Sequence, residues 1–180
     1  MYYVTECTYQ IGKIFLASDG ENLTGLWIEG QKYYAATLKS QETAQKDDLP
    51  VFINTKDWLD RYFSGKKPEI SELPLAPAGG DFRQKVWKIL CEIPYGEYIT
   101  YGDIAKNLAA QEGKKTMSAQ AVGGAVGHNP ISIIIPCHRV VGASGSLTGY
   151  AGGIDKKIKL LEHEGVDFSK LSVPTKGTAL

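Results

Sequence analysis

Between Lys67 and Gly80 the chain carries Pro68, Pro74, Pro77, Gly79 and Gly80, residue types that the interiors of helices and strands exclude. No regular element runs through such a stretch, so it divides the 180 residues into two separately patterned parts. A chain of this length holds either one large core or two small ones, and the break selects two. The expected domains are residues 1–78 and 79–170, followed by a tail over 171–180.

The first part opens with three runs rich in Tyr, Val, Thr, Ile, Phe and Leu: YYVTECTY, KIFLAS and LTGLWIE. Gly12 and the pair Asp19-Gly20 separate them, which predicts a meander of antiparallel strands with a hairpin turn at Asp19-Gly20. The stretch NTKDWLDRYF has apolar residues at helical spacing, and Gly65 stops it. Past the break, Asp81 reads as an N-cap, and Phe82, Val86, Ile89 and Leu90 form the stripe of a helix that ends before Pro94. Thr100, with Asp103 three residues on, caps a second helix containing Ile104, Ala105 and Leu108. A polar loop, QEGKKTM, leads to Ser118 as the cap of a third, AQAVGGAVG. Two short helices joined by a polar loop outline a helix-turn-helix.

That third helix has almost no side-chain bulk. Gly123 and Gly124 inside it cost roughly 1 kcal/mol each relative to alanine, so close packing or entry into a narrow space must offset them. A DNA minor groove, about 6 Å wide, is one such space.

Composition narrows the class. At 43% hydrophobic and 22% charged residues the chain is globular, and the longest apolar runs, such as Ile131 to Pro136, are too short to span a bilayer. The start, MYYVTECTYQ, lacks a basic region followed by an apolar one, which predicts a soluble, cytoplasmic protein with no membrane partner. Cys7, Cys91 and Cys137 form neither a disulfide framework nor a metal-like cluster. Residues 1–80 hold Cys7 and no histidine, so no four-ligand metal site is expected. Those residues carry 8 basic against 11 acidic side chains, whereas 81–170 carry 11 against 9. An anionic partner should meet the second part.

The run IIIPCHRVV, residues 133–141, breaks an apolar stretch with a thiol, an imidazole and a guanidinium. Cys7 and Cys91 read as small buried hydrophobes. Cys137 differs, because Pro136 fixes the backbone before it and His138 and Arg139 follow it. Such neighbours favour the thiolate, which is the nucleophilic form. The pattern predicts a strand that ends at a reactive Cys137.

From Asp81 to Gly165 the sequence resembles the O6-alkylguanine-DNA alkyltransferases, also called methylated-DNA–protein-cysteine methyltransferases. The resemblance rests on IPYGEYITYG, AVGGAVGHNP, IPCHRVVGASGSLTGYAGG and LLEHEG, which occur in the family's order and near its spacing. It implies an α/β (α+β) fold: a small antiparallel-sheet, ribonuclease-H-like domain, then a helical, winged helix-turn-helix-like DNA-binding and catalytic domain. The implied activity is repair of double-stranded DNA by transfer of an alkyl group from O6 of guanine, and more variably O4 of thymine, to Cys137, once per chain. The implied roles are His138 as base oriented by Glu164, Tyr101 as proton donor to the departing base, and Asn129 as structural hinge. Gln120, Ala121, Gly123, Gly124 and Arg139 would meet DNA, and Val140, Tyr150 and Ala151 would line the base pocket. Gln120 stands where family members commonly place an arginine that fills the gap left by the extruded base, and Ala151 where some have serine. A monomer without cofactor or metal is implied.

Three other readings stand beside this one. A non-catalytic lesion binder would lack the acceptor cysteine, which is present. A winged-helix regulator would read bases, but AQAVGGAVG offers only Gln120 for that. A cysteine hydrolase would need His138 to reach the thiol directly before it, which adjacent residues rarely manage.

Overall fold

A computed structural model describes residues 1–175, which form two compact units. The first comprises Met1–Ala78 together with Pro130–Ile134; the second comprises Gly79–Asn129 and the chain from Ile135 onward. The boundary falls in the Pro/Gly stretch, whereas the membership of Pro130–Ile134 has no signature in the local sequence. Of the expected tail, 176–180 lies outside the described residues.

In the first unit β1 (Tyr2–Tyr9), β2 (Gly12–Ser18) and β3 (Leu23–Ile28) form the antiparallel meander. Asp19 shapes the second turn: its Oδ1 accepts from the backbone N–H groups of Glu21 (3.0 Å) and Asn22 (2.7 Å), and Gly20 takes φ 110°. A short strand that sequence gave no sign of, β4 (Thr43–Gln45), adds in parallel to β1, giving the order β3-β2-β1-β4. Helix α1 (Pro50–Phe63) begins four residues earlier than its apolar spacing indicated, because Pro50 suits the first helical position. It buries Val51, Phe52, Thr55, Trp58, Leu59 and Tyr62. Gly65, at φ 81°, closes it: Gly65 N donates to Tyr62 O (3.1 Å) and Lys66 N to Arg61 O (3.0 Å).

In the second unit α2 (Asp81–Cys91) starts with Gly80 in the cap position, so Asp81 is the first helical residue rather than the N-cap. Its carboxylate sits in the first turn, where the helix dipole favours it. A two-residue strand, β5 (Ile99–Thr100), leads into α3 (Tyr101–Gln111), whose capping box pairs Thr100 with Asp103 as expected. After the polar loop, Ser118 caps α4 (Ala119–Gly127) by accepting from Ala121 N at 3.1 Å. Strand β6 (Val140–Val141) pairs in parallel with β5, and α5 (Ile154–His163) completes the unit. The core gathers Val86, Trp87, Leu90, Ile104, Leu108 and Val122, and Trp87 Nε1 donates to Ala125 O at 2.9 Å.

Residues 131–136 are not the expected strand. Ile131 makes one isolated bridge to Leu26, and Ile133 then takes φ 69°, in the left-handed region, which breaks the extended backbone. The burial that the apolar run demanded is met all the same: Ile131, Ile133, Ile134 and Ile135 are each at most 2% exposed.

Candidate active site

Pro136 ends the irregular apolar run, and Cys137–Arg139 form one 3-10 turn before β6. Their side chains are all buried, Cys137 at 4% exposure and His138 at 0%. Behind them α5 ends at Glu164, whose backbone is the helix C-cap and whose side chain points inward.

Glu164 meets two side chains of this turn, His138 and Arg139. Glu164 Oε1 accepts from His138 Nε2 at 2.7 Å and from Arg139 Nη2 at 3.0 Å; Glu164 Oε2 accepts from Arg139 Nε at 2.8 Å. Arg139 Nη1 donates to Ile93 O at 2.7 Å. The Arg139 guanidinium, which the resemblance would bring to DNA, is enclosed here with Glu164 and a backbone carbonyl as its partners. It fixes the carboxylate that fixes the imidazole.

Asn129, 4% exposed, donates from Nδ2 to Ile135 O at 2.8 Å and also hydrogen-bonds the Cys137 thiol. It thereby ties the end of the α4 segment to the backbone before the thiol. Tyr101, first residue of α3, donates its hydroxyl toward Thr148 O (3.2 Å) and Gly149 O (3.4 Å). A Cβ added at Gly149 would lie 2.4 Å from that hydroxyl, so only glycine allows this approach. Tyr150 is buried edge-on to His138, with ring centroids 6.5 Å apart. Val140 is buried in β6, and Ala151 is half-buried.

Electrostatics follow from the burial. Removal from water pushes the Cys137 thiol up, while the Asn129 hydrogen bond and the charge of Lys157 pull it back. Burial also holds His138 below its ordinary value, against the attraction of Glu164, so the imidazole is neutral at pH 7. For Glu164, burial would raise the carboxyl, but His138 and Arg139 outweigh it and hold it well below the carboxylate range. With Nε2–H committed to Glu164, the free lone pair of His138 is on Nδ1, which has no partner among the described residues. The site thus holds a thiol, a neutral base with an open nitrogen, and a fixed carboxylate.

Sequence reasoning missed Lys157. It sits within the run KKIK, yet it is fully buried. Its Nζ donates to Val140 O and, at 2.8 Å, to Thr148 O, and burial pushes its pKa down to about 8. The signal was available: position 157 lies three residues after Ile154 and four before Leu161, on the apolar stripe of α5.

On α4 the residues outward of the core are Ala119, Gln120, Ala121 and Gly124. A Cβ on Gly123 would meet Tyr101 at ordinary contact distance, 3.9 Å, and one on Gly124 would meet nothing. Internal packing therefore does not require these glycines, and the small outward face of the helix is left to be explained. Among the described residues no cluster of His, Cys, Asp and Glu could hold a metal, and no helix is long and apolar enough to cross a membrane.

Comparison with known proteins gives a consistent result across both units. Residues 81–166 match the 6-O-methylguanine DNA methyltransferase DNA-binding domain, and residues 1–77 match that family's ribonuclease-like domain. A methylated-DNA–protein-cysteine methyltransferase of Mycobacterium tuberculosis is 46% identical over 86% of the chain and 87% of its own length. One from Haemophilus influenzae is 39% identical over 92% and 88%. The crystal structure of Mycobacterium tuberculosis OGT in complex with DNA superposes with a TM-score of 0.74 at 42% identity, covering 91% of each chain.

Proposed function

The chain belongs to the 6-O-methylguanine DNA methyltransferase family, and on that premise we propose how its own residues carry out the repair. It is a methylated-DNA–protein-cysteine methyltransferase, which binds DNA and reverses alkylation damage by moving the alkyl group onto a cysteine of its own. The observation that carries the assignment to Cys137 is a buried thiol one residue from a neutral imidazole, whose open Nδ1 is set by the Glu164 and Arg139 contacts.

The substrate is O6-alkylguanine in double-stranded DNA, with O4-alkylthymine as a second lesion. The reacting oxygen of a paired guanine lies in the stack, so the nucleotide must leave the duplex. The outward face of α4 suits entry into the minor groove, since Ala121, Gly123 and Gly124 add no bulk to the helix. Gln120 fills space beside the extruded base without adding charge. Val140, Tyr150 and Ala151 bound the pocket.

In the pocket the Cys137 proton passes through one water to His138 Nδ1, and Glu164 stabilises the imidazolium. The Sγ–C bond forms as the O6–C bond breaks, and the electron pair of that bond stays on guanine. Tyr101 gives its hydroxyl proton to the base and regains one from solvent, while the imidazolium returns its proton to solvent. The products are a thioether and unmodified guanine. Water does not cleave a thioether, so each chain reacts once. The balance involves no cofactor. The protein acts as a monomer, in the cytoplasm with its DNA substrate.

The test is intact-protein and peptide mass spectrometry after incubation with a duplex containing one O6-methylguanine. One added CH₂ per chain, on the Cys137 peptide and absent from Cys137→Ala, is the expected result. Unmodified protein that still binds the lesion selectively would make it a lesion sensor.

A further inference from the structure

The segment just before the nucleophile turns back on itself within a few residues. Pro130 O accepts from Leu26 N at 2.8 Å, and Ser132 N donates to Leu26 O at 2.9 Å, which docks the segment on β3. Ile134 N then donates to Ser132 O at 2.8 Å across Ile133, whose φ is 69°. This is a γ-turn of the strained hand, and a β-branched residue at positive φ is an outlier. Three residues on, Cys137 N donates to Ile135 O at 2.8 Å across Pro136, at φ −82° and ψ 63°, an unstrained inverse γ-turn. A conformation like that of Ile133 persists only where its surroundings over-determine it.

Gln31 supplies that determination. It is 6% exposed and follows the turn at Gly30 that ends β3. Its Oε1 accepts from Ile28 N at 2.7 Å and from Ser132 Oγ at 3.1 Å, while its Nε2 donates to Lys32 O at 3.4 Å. Ser132 is thus held at its backbone by Leu26 and at its hydroxyl by Gln31, immediately ahead of the strained residue. Burying a glutamine side chain is unfavourable unless its polar atoms are satisfied, and here it is satisfied by the end of β3 and by Ser132.

We propose that Gln31 is a positioning residue for alkyl transfer: through Ser132 it fixes the turn at Ile133, and with it the backbone that presents Cys137. The proposal rests on reading Cys137 as the acceptor. The Gln31 side chain bonds Ile28, Lys32 and Ser132, so its effect belongs to the rate of transfer and not to DNA affinity.

Single-turnover methyl transfer from an O6-methylguanine duplex, DNA affinity and thermal unfolding would be measured on full-length wild type, Gln31→Met, Gln31→Glu, Ser132→Ala and the double variant Gln31→Met/Ser132→Ala. Leu38→Ala serves as a control that loosens the first unit away from Pro130–Ile134. Gln31→Met and Ser132→Ala should slow transfer roughly 10- to 100-fold at unchanged DNA affinity, since small misplacements at a reacting centre cost that much. The double variant should be no slower than the slower single one, because the two groups act as a unit. Gln31→Glu, whose carboxylate still accepts both bonds but cannot donate to Lys32 O, should recover part of the rate. Leu38→Ala should lower the melting temperature with the rate intact. Wild-type transfer rates in Gln31→Met, or a comparable loss of rate in Leu38→Ala at a comparable drop in melting temperature, would overturn the proposal. Should Gln31→Met fail to fold, Ser132→Ala, which loses a single hydroxyl, decides it alone. An unreactive wild type would instead remove the premise.

Discussion

At the scale of single residues, the site is a set of groups whose burial is tolerated because each is paired. Arg139 and His138 share one carboxylate, and Lys157 satisfies two carbonyls. Burial keeps His138 neutral below its ordinary 6.5. Transfer per folded molecule should therefore stay level as pH falls through 6.5, and drop only once the depressed value is reached. Folding stability behaves differently. The unfolded chain takes up the His138 proton near 6.5 and the folded chain does not, so stability falls as pH drops below that value. Glu164 contributes in the opposite range: its depressed carboxyl stabilises the fold above its ordinary 4.5, and that contribution is lost only toward its lowered value. Rates and thermal unfolding between pH 5 and 8 check this, and a rate that halves at an ordinary histidine midpoint would contradict the buried neutral imidazole. Cys137 and His138 were legible in the sequence because a thiol and an imidazole interrupt an apolar run. The burial of Arg139 was not, because the carboxylate that holds it lies 25 residues away.

At the scale of elements, caps and turns were the most legible features. Thr100, Ser118, Gly65 and Asp19 act where their chemistry placed them, since each needs only backbone within a few residues. The apolar run before Cys137 misled, because periodicity reports burial and not backbone direction. Four isoleucines in six residues suit a strand and suit equally a buried turn. Helix α4 carries the element-scale prediction. Gln120 faces outward beside the cap. Gln120→Arg should tighten DNA binding and steepen its salt dependence by about one phosphate contact, a change near 0.9 in the slope of log K against log salt. Affinity titrations at several salt concentrations check it, and an unchanged slope would mean that α4 does not meet the phosphates' field.

At the scale of the whole molecule, the second unit carries Cys137, while five residues just upstream of it belong to the first. A chain beginning at Gly79 keeps Cys137, His138 and Glu164 but lacks Leu26 and Gln31, which bind Pro130 and Ser132. It should show no methyl uptake by mass spectrometry, and uptake at the full-length rate would show that β3 is dispensable. The sequence by itself determined the Pro/Gly break, the meander, the capped helices and the thiol–imidazole pair that interrupts the apolar run. Each of these follows from residues close in the chain: prolines and glycines in one stretch, alternation over a strand, a cap three residues from its partner, a thiol beside an imidazole. Only the tertiary structure decided that Arg139 pairs with the Glu164 carboxylate, that Lys157 is buried, and that Pro130–Ile134 docks on β3 with Ser132 bonded to Gln31. Those outcomes depend on which polar groups find partners across tens of residues, and burial makes such pairing obligatory without naming the partner.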